Sequence, residues 1–82
     1  MLYTGKVQGV GFRYTVEAAA QQLEVNGWVK NLGNGQVELV AGAEESVLLK
    51  LLDQISGFFS RYIDDVDITW QESNKQYADF RI

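Results

Sequence analysis

The stretch Val25-Asn26-Gly27-Trp28-Val29-Lys30-Asn31-Leu32-Gly33-Asn34-Gly35-Gln36-Val37-Glu38-Leu39-Val40-Ala41 decides how this chain folds. Val25, Trp28 and Val29 are strand formers, and Gly33-Asn34-Gly35 supplies residues that accept positive φ and turn a chain back. Val25 to Asn31 is expected as one strand, and Gln36 to Ala41 as its hairpin partner. On the N-terminal side, Phe12, Val16, Ala19, Ala20 and Leu23 fall at helical spacing, predicting a helix from Phe12 to Leu23. On the C-terminal side, Glu44 and Glu45 put negative charge where a helix begins, and Val47, Leu48, Leu51, Leu52 and Ile55 mark one apolar face. Gly57 is expected to stop that second helix.

Outside the helices lie the outer strands. Leu2 to Val7 reads as a short strand ended by the glycine-broken loop Gln8-Gly9-Val10-Gly11. Val66, Ile68 and Trp70 alternate with Asp65, Asp67, Thr69 and Gln71, and Ala78, Phe80 and Ile82 mark a short closing strand. The order β-α-β-β-α-β, plus a terminal strand, is the split βαβ pattern. It predicts an α+β, ferredoxin-like sandwich with an antiparallel sheet and two helices on one face. The chain has no Pro, no internal repeat and no low-complexity tract, so residues 1–82 are expected to form a single domain.

Composition narrows the chemistry. In 82 residues, 46% hydrophobic content with two Trp, four Tyr and four Phe suffices for one core and argues against disorder. The absence of Cys removes disulfides, thiolate nucleophiles and iron–sulfur ligation. Without His, imidazole metal ligands and His-based acid–base catalysis are gone as well. A net charge of −4 argues against a nucleic-acid partner. No apolar run approaches the ~20 residues of a membrane span, and no signal-like segment opens the chain. A cytoplasmic monomer without membrane contact is expected.

The predicted topology has a functional consequence. Strand three lies between strands one and two and runs antiparallel to both, so strands one and two are parallel and end on the same rim. At ~4.8 Å per strand spacing, those ends sit ~10 Å apart. The loop Gln8 to Phe12 and Asn31 then face each other across strand three, within reach of one small ligand.

Two features at that rim invite chemistry. Gly9-Val10-Gly11-Phe12-Arg13 is a strand–loop–helix junction whose glycines can turn backbone N–H groups toward one point, where a helix N-terminus adds positive potential. Arg13 adds a guanidinium fork matched to phosphate oxygens, in a first turn where a cation opposes the helix dipole. On the loop alone, a tight turn with a solvated arginine stands equally well, and the spacing fits neither a P-loop nor a dinucleotide fingerprint. Asn31 alone reads as a strand-ending turn residue; its place opposite Arg13 raises it. Asp64, Asp65 and Asp67 form the densest acidic cluster, but strand alternation splits them between faces, so no metal site is expected there. The scattered aromatics are expected in packing rather than in base stacking.

Taken together, Gly5-Lys6-Val7-Gln8-Gly9-Val10-Gly11-Phe12-Arg13, Gly27-Trp28-Val29-Lys30-Asn31 and Asn34-Gly35-Gln36-Val37-Glu38 resemble acylphosphatase, over essentially the whole chain. The resemblance implies hydrolysis of an acyl phosphate to a carboxylate and inorganic phosphate, which would also inhibit. It implies that Gln8, Gly9, Val10, Gly11, Phe12 and Arg13 bind the phosphate, and that Arg13 and Asn31 are catalytic, Asn31 positioning the attacking water. No cofactor and no metal are implied. Such a reaction suits a chain without His, because a carboxylate whose conjugate acid has a pKa near ~4 leaves without a general acid. Glu24 departs from the family, which usually has a glycine there and so an easy left-handed cap. Gly57-Phe58 stands where members often have Gly-Pro, and the first strand is shorter than usual. A non-catalytic binding module on the same fold is the competing expectation. The acylphosphatase-like domain of a carbamoyl-phosphate-using maturation enzyme is a further one, disfavoured by the missing Cys segments.

Overall fold

The central hairpin forms as expected in the computed structural model, which describes residues 1–9, 11–70 and 77–82. β2 (Asn26–Asn31) pairs antiparallel with β3 (Val37–Gly42) through six registered residues, from Asn26 opposite Gly42 to Asn31 opposite Val37. Of the three turn residues, only Gly35 takes positive φ (87°). β1 (Leu2–Gly5) lies on the other side of β3, Tyr3 opposite Val37, and β4 (Ile63–Asp67) forms the edge beyond β1. β5 (Phe80–Arg81) forms the opposite edge, giving the order β4-β1-β3-β2-β5. Strand three is therefore central, with β1 and β2 parallel on either side. No helix among the described residues is long and apolar enough to cross a membrane.

The sheet departs from the expected antiparallel pattern at one edge, since β5 runs parallel to β2. β4 runs antiparallel to β1, so it ends at the edge of the sheet where β2 begins. A strand entering from that end beside β2 can only run with it. The entry is pinned by Asn26, whose Nδ2 donates to the Tyr77 carbonyl at 2.9 Å, and by the Gly27 N–H, which donates to the Asp79 carbonyl at 2.9 Å.

α1 (Phe12–Gln22) buries Phe12, Val16, Ala19 and Ala20, the face its periodicity predicted. α2 (Glu45–Phe59) buries Leu48, Leu51, Ile55 and Phe59. Gly57 does not stop it. Phe59, one turn after Ile55, enters the core against Phe12 with ring centroids 4.9 Å apart. Burying a Phe contributes about 1.5–3 kcal/mol, whereas an interior glycine costs about 1 kcal/mol relative to alanine. Packing wins, and the helix runs on.

β4 also differs from its expected span: it starts at Ile63 and stops at Asp67, leaving Ile68 and Trp70 exposed. Leu2, the first residue of β1, pairs with Asp67, so β1 offers Ile68 and Trp70 no partner. The register shifts between Thr4 opposite Asp65 and Gly5 opposite Ile63, leaving Asp64 as the extra residue of a bulge. Ile63 and Val66, three residues apart, therefore both pack against the core, an arrangement that strict alternation does not contain. Asp64, Asp65 and Asp67 are all exposed, and no three His, Cys, Asp or Glu side chains among the described residues gather to hold a metal ion. β1 ends at Gly5, two residues short of its expected end. Gln71, the last residue of the expected fourth-strand alternation, lies outside the described residues.

The end of α1 shows how the Glu24 departure is accommodated. Glu24 takes φ 56°, and its N–H donates to the Gln21 carbonyl at 3.2 Å while the Val25 N–H donates to Ala20 at 2.8 Å. These two bonds make a complete Schellman closure with glutamate in glycine's place. The expected loss of the cap is thus a cap made under strain. A left-handed conformation costs a residue with a Cβ about 1–2 kcal/mol. Glycine's greater freedom in the unfolded chain offsets about 0.5–1 kcal/mol of the relief. Glu24→Gly should raise stability by roughly 0.5 kcal/mol, read as a higher urea midpoint at unchanged m-value; a lower midpoint would contradict it.

Tyr3 carries a second strain. It is buried, edge-on to Phe12 at 5.1 Å, and its hydroxyl has no hydrogen-bond partner among the described residues. Burial pushes its pKa well above the ordinary phenol value. The folded Tyr3 therefore stays neutral where the unfolded one ionises, so stability present below about pH 10 is lost as pH rises beyond it. Tyr3→Phe removes an unsatisfied buried group worth about 1 kcal/mol, a rise of about 5 °C in Tm for a domain of this size. It should also soften the alkaline decline; a lower Tm at neutral pH would show that the hydroxyl has a partner after all.

Candidate active site

The rim where β1 and β2 end carries both sequence-derived features. Val7 is fully buried and anchors the chain as it leaves β1. Gly9 follows at φ 82° and Gly11 at φ 77°, ψ 15°. A Cβ at either glycine would meet nothing within 4 Å, so the left-handed backbone, not crowding, is what requires glycine there. Val10, expected among the phosphate-binding residues, lies outside the described residues.

Gly11 caps α1 without a side-chain hydrogen bond, and the first intrahelical bond runs from the Thr15 N–H to the Gly11 carbonyl at 3.1 Å. The N–H groups of the first turn have no intrahelical acceptor. No acidic residue stands in that turn, whereas α2 has Glu45 in its own. The positive end of α1 is therefore uncompensated, and its second residue is Arg13. Arg13 is half-buried, and among the described residues its guanidinium makes no ion pair or hydrogen bond. Loop, helix end and arginine together form an anion-seeking corner.

Phe12 plays a different part from its neighbours. Its ring is buried between Tyr3 and Phe59, so only its backbone N–H is available at the rim.

Asn31 shares a row with Val37 and Tyr3, the residues opposite it on β3 and β1. Residues directly opposite share a face, and Val37 and Tyr3 are buried beneath the helices. Asn31 therefore lies on the helix side of the sheet, at its exposed end, the side that also carries α1 and with it Arg13. Its amide has no hydrogen-bond partner among the described residues. Lys30, its neighbour, belongs to the other face, where Nζ lies 5.0 Å from the Trp28 ring centroid and 3.9 Å from Glu38 Oε1.

The loop and the turn after Asn31 are tied directly. Gln8 Nε2 donates to the Leu32 carbonyl at 2.9 Å and to the Gln36 carbonyl at 3.0 Å. The sequence places Gln8 in the loop but carries no sign of this use of its side chain, since a glutamine between Val7 and Gly9 makes no pattern that announces a tertiary bond. Gln36 makes a second tie, its Nε2 donating to Thr4 Oγ1 at 2.9 Å while Asn34 Nδ2 donates to Gln36 Oε1 at 2.6 Å.

Comparison with known proteins agrees with this architecture. The Acylphosphatase family model matches residues 1–82. An acylphosphatase of Caldanaerobacter subterraneus subsp. tengcongensis is 42% identical over 80 residues, covering 96% of this chain and 89% of the relative. One of Coxiella burnetii is 41% identical over 81 residues, covering 96% and 83%. The crystal structure of acylphosphatase from Bacillus subtilis superimposes with a TM-score of 0.90 at 33% identity, over 99% of this chain and 91% of that one. With the match spanning every element from β1 to β5, the chain belongs to the acylphosphatase family.

Proposed function

We propose that this chain hydrolyses the carboxyl–phosphate bond of small acyl phosphates at the rim formed by residues 8–13 and Asn31. The observation that carries the reading is the uncompensated start of α1 with its half-buried, unpaired Arg13. Backbone N–H groups from Gln8 to Phe12 and the Arg13 fork hold the phosphoryl oxygens, where charge must be balanced as the transition state forms. Asn31 aims a water in line with the bond to be broken. The water oxygen bonds to phosphorus, the P–O bond to the acyl group breaks, and its electron pair leaves with the carboxylate. The water's proton passes to a phosphate oxygen, so the products are a carboxylate and inorganic phosphate. A carboxylate is stable without protonation at neutral pH, so no side-chain acid is needed. The reaction calls on no metal ion, and inorganic phosphate competes with substrate for the same cradle.

Phosphate release from acetyl or benzoyl phosphate in excess EDTA is the direct test, and activity that only Mg²⁺ restores would overturn the site as drawn. Arg13→Lys should lose about as much kcat/KM as Arg13→Ala, on the order of 10²-fold or more, because an ammonium keeps the charge without the planar fork. Most activity surviving in the lysine variant would mean that charge alone suffices. Asn31→Ala should leave phosphate affinity within severalfold while kcat falls on the order of 10²-fold, roughly 3 kcal/mol. If Asn31 serves only the turn, its loss lowers Tm and leaves kcat intact in the folded fraction.

A further inference from the structure

We infer that the Gln8 side chain is a positioning residue that locks the phosphate-holding loop to the strand end carrying Asn31, and so acts on turnover rather than on phosphate binding. The inference rests on the site proposed above. The sheet leaves a gap on this side of the site. β1 and β3 pair only at Leu2 opposite Glu38 and Tyr3 opposite Val37, so the ladder ends five residues before Gln8. Asn31 is held on the other side of β3, opposite the same Val37. Beyond that row, the direct hydrogen bonds joining the two sides among the described residues are the Gln36–Thr4 contact and the pair made by Gln8.

The Gln8 pair is built for rigidity. Both N–H bonds of one planar amide are spent on two carbonyls, 24 and 28 residues away along the chain. Each carbonyl also closes the turn itself: Leu32 O accepts from the Gly35 N–H at 3.2 Å, and Gln36 O from the Leu32 N–H at 2.8 Å. The amide is thus fixed to a turn that is already fixed, one residue past Asn31. With both donors committed, the side chain has only its carbonyl oxygen left, which repels an anion, so it does not itself hold phosphate. Its effect is on the relative placement of two groups on separate elements. Such alignment counts most in the transition state, where an error of about 1 Å costs on the order of 10²-fold.

The test is a double-mutant cycle with Gln8→Met, which keeps length and removes both donors, and Asn31→Ala. Acetyl phosphate kcat and the Kd of inorganic phosphate are measured where circular dichroism shows every variant folded. Gln8→Met should lower kcat about 10-fold with phosphate Kd within about threefold, and should cost less than about twofold when Asn31 is already alanine. An equal loss in both backgrounds, or a phosphate Kd that rises as kcat falls, overturns the inference. If Asn31→Ala lowers kcat and Gln8→Met does not, the clamp falls and the site reading stands. If Asn31→Ala leaves kcat intact, the water-positioning reading falls and takes the clamp with it. Should Gln8→Met fail to fold, Gln8→Glu supplies a second readout. Its carboxylate faces two carbonyls with no proton to donate, whereas the protonated acid can donate one hydrogen bond. Its kcat relative to the native protein should rise as pH falls from about 7 to about 5, and a flat ratio overturns the clamp.

Discussion

The contact on which the rest depends is the aromatic column Tyr3–Phe12–Phe59. Phe12 is the first residue of α1, and its ring sits 5.1 Å from Tyr3 of β1 and 4.9 Å from Phe59 at the end of α2, edge-on to both. Edge-to-face geometry of this kind fixes direction as well as distance. One buried side chain therefore sets where α1 begins and which way its open N–H groups point, relative to a strand and to the other helix. Arg13 is the next residue, so its backbone inherits that placement. The same column holds α2 helical through Gly57, because the chain gains more from seating Phe59 than it loses at the glycine.

This explains which parts of the molecule were legible in the sequence. The hairpin, both helix faces and the central position of β3 depend on local periodicity and turn chemistry, which residues carry with them. The extent of α2 depends on what waits for Phe59 across the core, and no window around Gly57 contains Phe12. The span of β4 depends on the length of β1 and on the bulge at Asp64. The direction of β5 depends on which end of the sheet the chain returns to. At the candidate site, the shared rim of Arg13 and Asn31 was legible because topology alone brings their elements together there. Gln8 was legible only as a loop residue, since its side-chain bonds join positions that nothing in the sequence pairs.

An acidic chain with an anion-seeking corner needs its charges sorted, and the sheet sorts its own strand acids by face. Asp65 and Asp67 lie opposite Thr4 and Leu2, on the face of the sheet away from the helices. Glu38 lies on that same face with Lys30 beside it. Asn31 and the start of α1 belong to the other face, and no acid stands in the first turn of α1. Exposed charges more than about 8–10 Å apart are largely screened at physiological salt, so the net charge of −4 matters less at the rim than the local balance at the start of α1, where Arg13 and the open N–H groups stand with Glu17 one turn further along.

The strains are sorted as well. The left-handed Glu24 sits past the C-terminal end of α1, and the helix has 11 residues, about 16 Å at 1.5 Å each. Glu24 is thus a whole helix away from the rim, exposed, with its closing hydrogen bonds intact. Energy lost there lowers the stability of the whole domain without displacing a donor at the site, because a rigid helix held by Phe12 does not relay a local φ at one end into a shift at the other. At the rim, by contrast, the described residues with special backbone conformations are glycines, for which the same dihedrals carry no steric penalty. A corner that offers mainly main-chain N–H groups to an anion has no side-chain rotamers to adjust, so the accuracy of the proposed site is set by the backbone. Glycine at positions 9 and 11 and a non-glycine at 24 are thus compatible at the two ends of one helix: steric strain is absent at the candidate site, and present where only stability is at stake.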